Sequence, residues 1–174
     1  MSSVTFIAFK GIGIVSKMIR FVTRSQFYSH IAYLDKYGRV IECWPTPSNK
    51  LQSWTISKLE YHHAGTPYEV WEMEVTPEIE KYCDWTMYRF ASMKIKYDWA
   101  GCIGFVFKLV KDNRNRLFCS EGCITPLIQY LNWKTITAEH VSPQNFINII
   151  EAYGAKIIKS GVVGDDHAKQ YINS

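Results

Sequence analysis

The sequence predicts one α+β domain with a mainly antiparallel sheet, and three observations indicate this fold class. Short apolar or alternating segments of strand length occur mostly in the first half of the chain. Segments with helical periodicity and helix-start residues are gathered later. The length of 174 residues suits a single domain and is sufficient to bury a sizeable core. We expect that domain to span residues 1–160 and a polar C-terminal tail to occupy residues 161–174.

The predicted strands are bounded by glycine, proline or polar turns. The central pair, SHIAYLD and RVIECW, flanks the tripeptide Lys36-Tyr37-Gly38, in which Gly38 can adopt a positive φ. This pattern favours a hairpin with a three-residue turn. In chain order, the predicted strands cover residues 4–9, 29–35, 39–44, 69–75 and 155–159.

Helices are predicted where apolar residues recur at helical spacing or where a start signal is present, such as Thr76-Pro77-Glu78 or Ser142-Pro143. Pro126 is expected to kink its helix or to mark one end of it. Residues 45–68 contain three prolines and one glycine and are expected to form a loop or lid insertion, with a short helix near residues 53–58. The predicted longer helices cover residues 14–24, 77–93, 99–109, 119–131 and 143–153.

Composition narrows the classes of function. Aromatic residues make up 15% of the chain, which is too much apolar content for a disordered protein. The net charge is +4 without a dense basic block, so nucleic acid is not an expected partner, although weak attraction to anionic lipid headgroups is compatible with it. The odd number of cysteines, five, argues against a secreted disulfide scaffold. No signal peptide or membrane-spanning run is visible, so a cytoplasmic location is expected, with export by another route left open.

Three polar residues occupy positions where a structural core would favour apolar side chains. His30 lies in the strand SHIAYL, Glu42 lies in the strand VIECW, and Cys119 opens the predicted helix in LFCSEGC. A thiol at a helix N-terminus is biased toward thiolate, and a nearby imidazole can take and return its proton. A third polar group can hold that imidazole in one tautomer. Each residue also has a purely structural interpretation. His30 could be a hydrogen-bonded structural residue, Glu42 could pair with a buried arginine, and Cys119 could be a small buried apolar side chain.

The predicted hairpin allows a test of whether two of these residues share a face. If Asp35 pairs with Arg39 across a three-residue turn, paired residue numbers sum to 74. His30 is then opposite Trp44, and Glu42 lies diagonally on the same face, within reach of His30. A two-residue turn would place Cys43 on that face instead. Gly38 at the last turn position favours the three-residue form.

Three segments of the chain, FYSHIAYLDKYGRVIECWP, YDWAGCIGFVF and RLFCSEGCITPL, resemble the permuted NlpC-type papain-like amidases and peptidases of the YaeF/YiiX group. The resemblance extends from residue 4 to about residue 152. It implies a circularly permuted papain-like fold, with a small antiparallel sheet packed against the cysteine-bearing helix. It also implies a cysteine hydrolase that cleaves an amide, ester or thioester through a thioacyl-enzyme, with no cofactor and no metal.

The same resemblance implies roles for individual residues. Cys119 is the expected nucleophile, His30 the base and Glu42 the third member of the triad. The backbone N–H of Cys119 and one further group, with Tyr33 and Tyr97 as candidates, would bind the oxyanion. The chain departs from the family pattern at Gly122, where the residue after Cys-Ser-Glu is usually Leu or Met. This departure puts the local packing in question.

Three alternative functions remain open at this point. A zinc site could be drawn from Cys102, Cys119, Cys123 and the pair His62-His63, but the usual ligand spacings are missing and the two histidines are expected in an exposed loop. A lipid-directed acyltransferase like the lecithin:retinol acyltransferase relatives would share the permuted core. A catalytically silent papain-like binding module is the third alternative. Cell-wall peptides, lipid-like amides and N-acyl amino acids are all compatible substrates, and the oligomeric state is not predicted.

Overall fold

The computed structural model describes residues 2–43, 52–98 and 116–165. These residues form one six-stranded sheet in the order β4-β3-β2-β1-β5-β6, in which neighbouring strands are antiparallel. The strands are β1 (Ser2–Phe9), β2 (His30–Leu34), β3 (Val40–Glu42), β4 (Thr55–Ser57), β5 (Pro67–Val75) and β6 (Lys156–Val162).

Four α-helices accompany the sheet in the described part of the chain: α1 (Ile14–Thr23), α2 (Pro77–Ser92), α3 (Cys119–Leu131) and α4 (Pro143–Ala152). Their boundaries follow from local chemistry. Pro77 and Pro143 occupy first-turn positions, where a missing N–H does no harm. Gly154 follows α4 with φ +92°, a left-handed conformation that glycine adopts readily. The predicted α+β class is confirmed.

Two core clusters lie on the two faces of the sheet. The larger cluster joins Phe6 and Tyr33 to side chains of α2, α3 and α4, such as Met87, Leu127 and Phe146. The smaller one contains Ile7, Phe9 and Val40 from the sheet, with Leu59, Tyr68 and Val163. Because successive side chains in a strand point to opposite faces, β1 contributes to both clusters.

The short helix predicted near residues 53–58 is wrong, because Thr55–Ser57 form β4 and pair with β3. Two of these three residues, Thr55 and Ile56, are β-branched and suit a strand. The adjacent Trp54 is fully buried. The described part of the predicted loop or lid, residues 52–68, therefore contains a short strand that extends the sheet edge and one helical turn, Leu59–Tyr61.

The last strand is longer than the sequence indicated. β6 continues to Val162, and Val163 is buried, so ordered structure passes the expected start of the tail at residue 161. Helix α3 likewise continues through the buried Pro126 instead of ending there. Some sequence predictions lie outside the described residues. These are the helix at 99–109, the positions of Trp44 and Cys102, and the chain beyond residue 165.

Candidate active site

His30 and Glu42 form a buried hydrogen-bonded pair. The distance from His30 Nε2 to Glu42 Oε2 is 2.7 Å, and the two residues are 0% and 4% exposed. Ionised carboxylates only accept hydrogen bonds, so the proton of this bond belongs to His30 Nε2. In the neutral imidazole this tautomer leaves the lone pair on Nδ1. The pair therefore has the chemistry of a base held in one tautomer by its carboxylate.

The β2–β3 hairpin brings these two residues together. Tyr33 pairs with Ile41 and Leu34 with Val40, so paired numbers sum to 74, as the three-residue turn predicts. The backbone N–H of Asp35 donates to the carbonyl of Arg39 at 3.0 Å, and Gly38 adopts φ +74°. The predicted diagonal contact between His30 and Glu42 is thus present.

Glu42 has two further donors that sequence reasoning missed. His62 Nε2 lies 3.2 Å from Oε1 and 3.0 Å from Oε2 of Glu42, and the hydroxyl of Ser57 donates to Oε1. His62 stacks on Phe9 with ring centroids 3.9 Å apart, so it does not lie in an exposed loop as predicted, whereas His63 is exposed. A buried carboxylate has about four acceptor sites, and His30 fills only one of them. Further donors to Glu42 could therefore be expected from the sequence, although not which residues supply them.

The surroundings set the protonation states of the pair. Burial lowers the pKa of His30, and the hydrogen bond and charge of Glu42 oppose this only in part, so the imidazole is neutral near pH 7. Burial alone would raise the pKa of Glu42. The charge of His62 and the hydrogen bonds from both histidines outweigh burial and hold the pKa of Glu42 below its ordinary value. Glu42 is therefore ionised and His30 is present in the form that accepts a proton.

Cys119 is the first residue of α3, a helix that contacts β2. β2 begins at His30 and β3 ends at Glu42, so His30 and Cys43 mark the same end of this antiparallel pair. Burial raises the pKa of Cys43, and a charge on Cys119 adds to this effect. The first-turn position also exposes Cys119 to the positive end of the helix dipole.

Contacts on either side of Cys119 fix the start of α3. The backbone N–H of Leu117 donates to the carbonyl of Lys96 at 3.1 Å, and the N–H of Phe118 donates to Glu121 Oε2 at 3.2 Å. The buried hydroxyl of Ser120 donates to the carbonyl of Val141 at 2.6 Å. The side chains of Ser120 and Glu121 thus hold the first turn of α3, and with it Cys119, in place.

Gly122 lies against a tryptophan ring that leaves no room for a side chain at this position of α3. A Cβ at Gly122 would lie 2.0 Å from Trp54 Cζ2, so the indole ring occupies the space that a larger residue would need. Trp54 is fully buried and belongs to the same core cluster as Cys123 and Ile124 of α3. The Trp54 ring therefore fills the space in which a side chain at position 122 would lie.

Two features restrict how the thiol can work with the histidine. Strand alternation places His30 and Glu42 on the face that carries Phe9 and Val40, whereas the body of α3 packs on the opposite face. Cys119 and His30 can therefore meet only around the strand ends. Cys119 is also 1% exposed, so its thiol is covered in this structure.

The remaining described cysteines have unreactive environments. Burial raises the pKa of Cys83 to about 12, and it also raises the pKa of Cys43 and Cys123, where a charge on Cys119 adds to the effect. These three thiols are protonated at neutral pH and are buried packing residues.

The two candidate oxyanion donors, Tyr33 and Tyr97, are both buried. The hydroxyl of Tyr33 donates to Asp84 Oδ1 on α2 at 2.7 Å, which uses its single O–H. Tyr97 is buried in the core cluster that also contains Phe118 and Cys43, both adjacent to the candidate site, and its backbone N–H donates to Gln52 at 2.7 Å.

One group of side chains in the described residues could hold a metal ion. Ligand atoms of His30, Glu42 and His62 all lie within 4.8 Å of one another. Two imidazoles and a carboxylate suit Zn²⁺, which takes three or four such ligands at about 2.0–2.2 Å. This set differs from the cysteine-based zinc site considered from the sequence and shares His30 and Glu42 with the candidate triad.

Comparisons with known proteins give no family for the chain. No protein-family model matches it, and no curated protein matches its sequence. In the described ranges 2–43, 52–98 and 116–165, no helix is long and apolar enough to cross a membrane.

Proposed function

We propose that the protein is a cysteine hydrolase that cleaves an amide, ester or thioester bond, with Cys119 as nucleophile, His30 as base and Glu42 as the residue that orients the base. The observation that carries this proposal is the buried hydrogen bond of 2.7 Å from His30 Nε2 to Glu42. It holds a neutral imidazole with its lone pair on Nδ1, the form that can accept a proton from a thiol.

The reaction follows from these groups. His30 Nδ1 takes the proton of the Cys119 thiol, and the sulfur attacks the substrate carbonyl carbon. The backbone N–H of Cys119 and a second donor bind the oxyanion. His30 returns the proton to the leaving amine, alcohol or thiol as the carbon–heteroatom bond breaks, which leaves a thioester on Cys119. Water, deprotonated by His30, then releases the acid and restores the thiol.

Glu42 stays ionised through this cycle because His30, His62 and Ser57 all donate to it. Its negative charge stabilises the imidazolium that forms when His30 is protonated, and the hydrogen bond keeps Nδ1 as the reactive nitrogen. The proposal agrees with the permuted papain-like resemblance of the sequence, in which these three positions carry the same roles.

The pH dependence of thiol alkylation tests the proposal. The protein is treated with iodoacetamide between pH 5 and pH 9, and labelled peptides are quantified by mass spectrometry in wild type, His30→Ala and His140→Ala. His140 is an exposed histidine and serves as the matched control. We expect Cys119 to label well below the free-thiol pKa of about 8.5 and to lose this advantage only in His30→Ala.

Two results would contradict the hydrolase and favour a silent binding module. One is uniform labelling of all cysteines, and the other is a Cys119 that remains inert in the folded protein. Circular dichroism of each variant shows whether the fold is retained.

A further inference from the structure

Helix α1 and its flanks carry a cluster of exposed large apolar side chains, here named the α1 patch. Ile14 is 86% exposed and Phe21 is 84% exposed, which are extreme values for such residues in a folded protein. At about 3.6 residues per turn, Ile14, Met18 and Phe21 fall within about 60° of one another. The α1 patch consists of Ile12, Ile14, Val15, Met18, Phe21 and Phe27.

The inward face of the same helix is largely polar. Its buried residues are Ser16, Ile19 and Thr23. The hydroxyl of Thr23 donates to the carbonyl of Ile19 at 2.8 Å and also contacts the Ser25 hydroxyl at 2.9 Å. A helix on a protein surface ordinarily buries its apolar stripe and exposes its polar one. The reversed arrangement of α1 indicates that a second apolar medium covers the patch.

The charged residues of the segment that carries the patch are all basic. Residues 10–28 contain Lys10, Lys17, Arg20 and Arg24, and no aspartate or glutamate. Lys10 is paired with Glu69, and Arg20 donates to the carbonyl of Gly11. Lys17 and Arg24 are exposed, one turn before Phe21 and three residues after it. The apolar centre is therefore bordered by cations that face solvent.

We propose that the α1 patch binds the surface of an anionic lipid bilayer. A helix lying in the interface buries apolar side chains at the level of the acyl chains while basic side chains contact headgroups, and α1 offers both sets. Charge complementarity selects anionic lipid as the occupant. The helix has 10 residues, so it lies on the bilayer and does not cross it.

Hydrogen bonds join the flanks of α1 to neighbouring parts of the protein. The backbone N–H of Gly11 donates to the Ser29 hydroxyl at 3.0 Å, and Arg20 Nη1 donates to the Gly11 carbonyl at 2.7 Å. Ser29 directly precedes His30. The backbone N–H of Phe27 donates to Gln144 Oε1 at 3.2 Å, which ties the far side of the patch to α4. Docking of α1 would thus bring the adjoining segment before β2 and the start of α4 to the bilayer surface, whether or not the candidate site is catalytic.

Vesicle flotation tests the proposal without any catalytic readout. The full chain is mixed with vesicles of phosphatidylcholine and phosphatidylglycerol in a 7:3 ratio, or with pure phosphatidylcholine, at low and high salt. We expect binding to the anionic vesicles, with at least a tenfold lower partition on pure phosphatidylcholine and a marked loss at high salt.

Matched variants separate the apolar and the electrostatic contributions. Ile14→Ser/Phe21→Ser and Lys17→Glu/Arg24→Glu should each reduce partition at least tenfold. Trp85→Ser/Ile158→Ser removes exposed apolar residues elsewhere, and Lys81→Glu/Lys134→Glu makes the same change of net charge at other exposed lysines, so both controls should bind like wild type.

Several outcomes would overturn the proposal. These are no binding to anionic vesicles, equal losses in test and control variants, or binding that is insensitive to lipid charge. Sedimentation equilibrium measures the oligomeric state and so tests whether a second copy of the chain covers the α1 patch. A dimer that dissociates in Ile14→Ser/Phe21→Ser, without lipid binding by wild type, would assign the α1 patch to self-association instead.

Discussion

Substitution of Gly122 by alanine tests how the start of α3 is packed. The added Cβ would lie 2.0, 2.7 and 2.9 Å from three ring atoms of Trp54, which is fully buried and has little room to move. Overpacking of this kind costs about 1–3 kcal/mol, and contacts this short favour the upper end. Alanine recovers about 1 kcal/mol of helix propensity. The net expectation is a loss of about 2 kcal/mol in the free energy of unfolding.

The assay is urea unfolding followed by circular dichroism, where a loss of that size shifts the midpoint by about 1 M for a slope of about 2 kcal/mol/M. In a Trp54→Leu background the clash is removed, so Gly122→Ala should be neutral or stabilising, and the double-mutant cycle should show a coupling of about 2 kcal/mol. Gly13→Ala is the control, since an added Cβ there meets no atom within 4 Å. An unchanged midpoint for Gly122→Ala, or the same loss in the Trp54→Leu background, would refute the packing explanation.

Three further predictions concern the site. The pKa of His30 is lowered in the folded state, so the unfolded chain binds a proton near pH 6.5 that the folded chain does not. The free energy of unfolding should therefore fall from pH 7 to pH 5. Urea titrations at each pH should show a smaller fall in His30→Gln than in wild type. Zn²⁺ should bind reversibly to His30, Glu42 and His62. Bound zinc should also suppress the low-pH alkylation of Cys119, because an imidazole coordinated through Nε2 carries its proton on Nδ1. In a chelator competition His62→Gln should bind zinc at least tenfold more weakly than wild type, and equal affinity would contradict this ligand set. Ser120→Ala should lower the free energy of unfolding by about 1–3 kcal/mol, since it leaves the buried carbonyl of Val141 without its donor, and a change below about 0.5 kcal/mol would contradict that role.

The hairpin that holds His30 and Glu42 could be predicted from the sequence because its determinants are local. Strand alternation and the length of the turn ending in Gly38 fix the register, and the structure has the predicted pairing of Tyr33 with Ile41. The helix over Cys119–Leu131 was also predicted with the bounds that the structure has, although Pro126 was expected to kink it or to mark one end.

The contacts of His62 and Trp54 could not be predicted in the same way. His62 reaches Glu42 because β4 pairs with β3 and a single turn at Leu59–Tyr61 directs the chain back over Phe9. Trp54 fills the space beside Gly122 across 68 positions of sequence. Both contacts depend on a three-residue strand whose pairing partner decides its conformation, and local propensity carries little information about such pairing.

The central claim is that Cys119 becomes acylated with help from His30, and trapping of the acyl-enzyme tests it most directly. The protein is mixed with an activated p-nitrophenyl ester, quenched in acid and analysed by intact mass and peptide mapping, in wild type, Cys119→Ser and His30→Gln. The account predicts an acyl adduct on the peptide that contains Cys119, no adduct in Cys119→Ser, and acylation slower by about 10²–10⁴-fold in His30→Gln. No adduct on the folded wild-type protein, or acylation at the same rate without His30, would contradict it.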